Sequence, residues 1–175
     1  VRDLAGTDWE YTSINIDAPE HQNLARAVGR VAIMSAELES TVRSLFSDLM
    51  IVDEAWVVSQ GESSDWLLKN CERIVSEEHR HEDHREGNRP ELLPLLAECR
   101  AAFRERGTVI HSSWGIDDVG ASTYIALSSK RFRDTRALEY SLAEINLLAD
   151  RFAEVNRKIH VANRIHRNAI LARED

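Results

Sequence analysis

The chain has 175 residues, 22 Lys and Arg against 30 Asp and Glu, a formal net charge of −8 and 43% hydrophobic residues. That length suits one domain with a single core, and only 7 Gly and 3 Pro argue against a loop-rich or all-β fold. No apolar run approaches the roughly 18 residues of a membrane span, the opening VRDLAGTDWE lacks the shape of a signal peptide, and the missing initiator Met points to a trimmed N-terminus; a soluble, cytoplasmic protein is expected.

Residues 1–19 show no hydrophobic period and end in Asp17-Ala18-Pro19, which reads as an N-terminal arm. Residues 20–175 read as a single helical domain without linkers or repeats. From Glu20 to Met50, positions Leu24, Val28, Val31, Ser35, Leu38, Val42, Leu45 and Leu49 alternate spacings of four and three. They form a heptad stripe on one long helix, widened by Ile33, Met34 and Phe46. Such a helix serves a bundle and can also offer apolar surface to a second subunit. A short helix is expected over Asp53–Ser59, closed by Gly61. Ser63 or Ser64 caps the next, whose apolar face holds Trp66, Leu67, Cys71, Ile74 and Val75.

Residues 77–89 contain no apolar side chain and read as a solvated connection. Pro90 and Pro94 then suit the first turn of a helix through Leu92, Leu93, Leu96, Cys99, Ala102 and Phe103. It reaches Arg106-Gly107, where the glycine is expected to kink or end it. Cys71 and Cys99 lack metal-ligand spacing and read as small buried hydrophobes in a reducing compartment.

Only Trp114–Phe132 looks β. Alternation over Ser122–Ser128, after the turn Asp117-Asp118-Val119-Gly120, predicts a hairpin at about residues 114–132. Ser141 and Glu144 form a capping box for a final helix of about thirty residues, striped by Ile145, Leu148, Phe152, Val155, Ile159 and Ala162. The expected fold is all-α, an antiparallel helical bundle with a small β-hairpin before the last long helix.

Several chemistries lack their motifs. There is no phosphate-cradling glycine loop, dinucleotide fingerprint, nucleophile elbow or H-E-x-x-H. His79, His81 and His84 lie among acids, a combination that suits a divalent cation, but no spacing fixes four ligands. A solvated loop is expected there, with no metal and no cofactor.

Charge divides unevenly along the chain. Residues 1–99 carry 9 basic and 20 acidic side chains, residues 100–175 carry 13 and 10, and 19 of all 22 basic residues are Arg. This excludes a broad basic coat for nucleic acid and confines an anionic partner to a local cleft in the second part.

That part contains Arg106-Gly107-Thr108-Val109-Ile110-His111-Ser112-Ser113-Trp114. A neutral imidazole can take the proton of a ribose 2′-OH, and a guanidinium can hold the scissile phosphate. Ser112 could add a hydroxyl hydrogen bond.

The segment resembles the R-x4-6-H motif of the HEPN superfamily, with long helices before it and a long helix after it. The resemblance implies a helical bundle that dimerises and places two Arg/His pairs in a shared cleft. Many members of that family are metal-independent endoribonucleases of toxin–antitoxin, phage-defence or RNA-processing systems. Carried over, Arg106 and His111 are the catalytic pair; Gly107 stands where members often have a polar residue, commonly Asn. RNA, a second copy and a cognate antitoxin or regulatory protein are the implied partners.

Arg73…His79 and Arg104…His111 satisfy the same spacing. On an unbroken helix residues five apart point about 140° away from each other. Arg106 and His111 therefore converge only if Gly107 bends the chain or if each faces a symmetry mate. The alternative for these residues is a plain helix C-terminus, with His111 satisfying a carbonyl and Trp114 in the core. The protein would then be a non-catalytic, HEPN-like interaction or regulatory module.

Two further clusters are candidates. Lys130, Arg131, Arg133 and Arg136 surround Phe132 and could bind phosphates while the ring stacks a base. His160 and His166 lie on the last helix near Arg157, Arg164 and Arg167; His166 falls on its apolar stripe, and the basic end complements the helix dipole.

Overall fold

A computed structural model describes residues 2–4, 11–15, 17–50, 54–78, 91–117, 123–129 and 135–174. In chain order these form β1 (Arg2–Asp3), β2 (Tyr11–Ser13), α1 (Gln22–Met50), α2 (Ala55–Ser59), α3 (Ser64–Glu78), α4 (Leu92–His111), β3 (Ser113–Asp117), β4 (Thr123–Ser129), β5 (Thr135–Ser141) and α5 (Leu142–Glu174). The architecture is a helical bundle with a β element between α4 and the long final helix, as the periodicity predicts.

The β element exceeds the expected hairpin. Strands β3, β4 and β5 form an antiparallel meander, and the full sheet order is β1-β5-β4-β3-β2. The third strand, Thr135–Ser141, lies beyond the expected 114–132 boundary. Both outer strands come from the N-terminal arm, with Arg2 opposite Glu139 and Thr12 opposite Ile116. Strands of two and three residues are too short to show a period, which is why the arm reads as featureless.

The chain divides into two compact units, Val1–Ser35 with Arg104–Arg151, and Ala36–Phe103 with Phe152–Asp175. Their boundaries fall inside α1, α4 and α5, so no change of composition marks them and the sequence reads as one domain.

In the first unit the sheet carries different side chains on its two faces. Leu4, Ile125 and Ala137 form one small cluster with Leu127 packed on it. On the opposite face Trp114 meets Tyr140 edge-on at 5.8 Å. Burial pushes the Tyr140 phenol up to about 12, with the Glu105 and Glu144 carboxylates adding to it. The capping box closes as predicted. Glu144 N–H donates to Ser141 Oγ at 3.2 Å, while the Glu144 carboxylate accepts from the Ser141 N–H at 2.8 Å.

The second unit is built from helices. Leu38, Val42 and Leu45 of α1 are buried with Leu67, Leu68 and Cys71 of α3, Leu92, Leu96 and Cys99 of α4, and Phe152, Val155 and Ile159 of α5. Each such large aliphatic or aromatic side chain contributes about 1.5–3 kcal/mol by leaving water. Phe103 meets Phe152 edge-on at 5.4 Å, and Phe46 meets Trp66 at 5.3 Å. Ser63 is the N-cap of α3, accepting from the Trp66 N–H at 3.2 Å.

Gly61 ends the turn after α2 at a φ of 78°, in the left-handed region where a side chain is strained. Thr41 and Asp48 of α1 bond to His160 and Asn163 of α5, so in this unit the two helices run side by side in one direction. Among the described residues no helix is long and apolar enough to cross a membrane.

Candidate functional site

Helix α4 runs unbroken through Gly107 to His111, so the expected kink or end at the glycine does not occur. A helical glycine costs only about 1 kcal/mol relative to alanine, and the residues around it hold the turn. Continuity separates the predicted pair. Arg106 and His111, five residues apart, point about 140° away from each other, and one chain does not bring them together.

Arg106 faces inward. Its Nε donates to Ser35 Oγ at 3.2 Å, and Ser35 Oγ donates to the Ala32 carbonyl at 2.9 Å. Ser35 is 1% exposed, which explains a hydroxyl on the otherwise apolar stripe of α1: it satisfies a guanidinium N–H there.

His111 is exposed at the end of α4 and has no hydrogen-bond partner among the described residues. In the last turn of α4 it is the neighbouring aromatic that serves a carbonyl, as Trp114 Nε1 donates to Val109 O at 3.2 Å. Ser112 does not join His111. Its Oγ is buried and has no partner among the described residues.

The residue that shares the face of His111 is Arg104. Seven residues make about two turns, so the two side chains leave α4 within about 20° of one another, with a rise of about 10 Å between them. Arg104 is exposed and has no ion pair among the described residues. Gly107 and Thr108 lie on the helix between them, and a Cβ built on Gly107 would meet no atom within 4 Å. The result is an open strip with an uncommitted guanidinium at one end and an uncommitted imidazole at the other. The signal was present in the sequence as the Arg104…His111 match.

Lys130, Arg131 and Arg133 lie outside the described residues, as do His79, His81 and His84. Arg136 stands on β5 opposite Ser128, exposed and without an ion pair among the described residues. No three His, Cys, Asp or Glu gather as a cation would need among the described residues. Cys71 and Cys99 are buried. Burial pushes both thiols up to about 12, with the Cys99 charge and Glu72 adding for Cys71, and Glu98 for Cys99. They are far from the thiolate character a nucleophile needs. The chain matches no protein-family model, no curated protein and no solved structure among those compared with it.

Proposed function

We propose that the chain is a HEPN-like, metal-independent endoribonuclease of toxin or phage-defence type whose working face is the Arg104–Gly107–His111 strip of α4. The observation that carries this reading is the two-turn spacing of an uncommitted guanidinium and an uncommitted imidazole across a residue without a side chain. His111 takes the proton of a ribose 2′-OH. The 2′ oxygen bonds to phosphorus, the P–O5′ bond breaks, and the 5′ oxygen leaves with a proton from water. Arg104 holds the phosphate and stabilises the charge that grows on it. Arg106 acts as a positioning residue through Ser35, tying α4 to α1 rather than touching RNA. A second copy, or a cognate antitoxin or regulatory protein, would act by covering or completing this strip.

Incubating RNA with the protein in EDTA tests the reading. Native protein is expected to leave 2′,3′-cyclic phosphate ends, His111→Ala to lose 10²-fold or more of the rate, the typical worth of a general base, and Arg104→Ala a comparable factor. Equal cutting by native protein and His111→Ala overturns it. No cutting by native protein favours the non-catalytic interaction module, a reading supported by the exposed Ile33 and Leu147.

A further inference from the structure

Two depressions adjoin in the helical unit, about 490 and 630 Å³ in volume, and both are lined by Glu37, Asn156 and His160. The first adds Ser40, Thr41, Ser44 and Trp56, and the second adds Arg157, Val161 and Arg164. The groove thus runs from an indole, past hydroxyls, an imidazole and an amide, to two guanidinium groups.

We infer that this groove binds a phosphorylated nucleoside, with the base against Trp56 and the phosphate at Arg164. The reading is independent of His111 and of RNA cleavage. Four features carry it.

Trp56 is 48% exposed although it is the largest side chain of a five-residue helix, and an exposed indole is a platform on which any base can stack. His160 is fixed by a 3.1 Å hydrogen bond between its Nε2 and Thr41 Oγ1, so a second flat ring is held in place at the centre of the groove. Asn156 Oδ1 is buried without a donor among the described residues. That amide is uncommitted, and a turn about its last torsion offers either a donor or an acceptor to sugar hydroxyls and base edges.

The cations differ from each other. Arg157 is forked onto Glu154, with bonds of 2.9 and 2.7 Å, whereas Arg164 has no ion pair among the described residues. Arg164 is therefore the guanidinium free to take a phosphate. Glu37 lines both depressions, and its carboxylate accepts from a ribose hydroxyl between the two ends. Indole, carboxylate with hydroxyls, and guanidinium follow one another in the order of base, sugar and phosphate.

Calorimetric titration of the full chain with AMP, adenosine and a 5′-phosphorylated oligoribonucleotide tests the assignment. AMP is expected to bind saturably. Arg164→Gln should weaken AMP about tenfold and leave adenosine unchanged, whereas Trp56→Ala should weaken both by about tenfold. Trp56→Phe, which keeps a stacking ring, should restore most of the loss. His111→Ala should bind AMP as the native chain does. Tighter binding of the oligonucleotide than of AMP assigns the groove to RNA ends; AMP at least as tight assigns it to a free nucleotide. Absence of saturable binding of all three probes, or equal AMP affinity in native protein, Arg164→Gln and Trp56→Ala, overturns it. Both replaced side chains are exposed, and circular dichroism checks that each variant keeps its helices.

Discussion

The two units of the chain use polar groups differently. In the sheet-bearing unit most are spent on closing the ends of elements. Trp114 serves a carbonyl in the last turn of α4, Ser141 and Glu144 close the start of α5, Thr123 Oγ1 donates to Glu139 at 2.8 Å, and Arg106 is tied to Ser35. Among the described residues Arg104, His111, Arg136 and the Ser112 hydroxyl take no part. The helical unit relies on apolar packing around two buried thiols and leaves Asn156 Oδ1 without a donor among the described residues. Its polar groups collect along a groove instead. The first unit thus presents its free charged groups on an open face, whereas the second holds an unpartnered amide oxygen beside a depression.

The largest test of this contrast lies in the helical core. Phe152→Ala removes a ring that is fully buried and packed on Phe103. A loss of about 3–5 kcal/mol is expected in denaturant melts. A loss below 1 kcal/mol would show that the unit does not depend on this packing.

Alkaline pH should separate the units next. Cys71 and Cys99 are pushed up to about 12 from an ordinary value near 9. The folded state therefore holds protons that the unfolded chain releases. Their contribution to stability is complete below about pH 9 and declines as pH rises through 12, by up to about 1.4 kcal/mol per pH unit for each thiol. The corresponding window for Tyr140 opens only near pH 10. Stability curves of Cys71→Ala/Cys99→Ala should flatten from pH 9 upward, and those of Tyr140→Phe only from pH 10. Curves parallel to the native one would contradict the assignment.

Smaller effects probe how the sheet-bearing unit closes its elements. Ser141→Ala removes the Oγ that accepts from Glu144 N–H and should cost about 1 kcal/mol in thermal or chemical melts. Gly107→Ala should stabilise α4 by about 0.5–1 kcal/mol, because the added methyl meets nothing within 4 Å. Gly107→Leu should also fold, yet slow RNA cleavage if a phosphodiester passes over the strip. Unchanged cleavage by that variant would detach Gly107 from the site.

The helices were readable because burial imposes a period. Leu24, Val31, Leu38, Val42, Leu45 and Leu49 are all buried as their spacing predicts. The exposed Ile33, by contrast, shows that apolar character alone does not place a residue inside. The outer strands were not readable, since their partners lie far along the chain and no local pattern encodes them. At the candidate site, residue type was legible and pairing was not. Arg106 and Arg104 precede the same histidine, and only the continuity of α4 distinguishes the inward one from the outward one. Trp56-Val57-Val58 carried an unused signal, because a helix of five residues cannot bury three consecutive apolar side chains, and all three are exposed.

The pairing of Arg2 with Glu139 and of Asp3 with Leu138 has a consequence in time. The ribosome must make β5 before β1 has a strand to join, so Leu4 remains solvated while most of the described chain emerges. Each unit must wait for its second piece, the first for Arg104–Arg151 and the second for Phe152–Asp175. Closing such a long loop is the slow kind of step that distant β pairing imposes on folding. The sheet is accordingly expected to gain protection from solvent exchange only after β5 has emerged, and the helical core only after Phe152, Val155 and Ile159 have followed it.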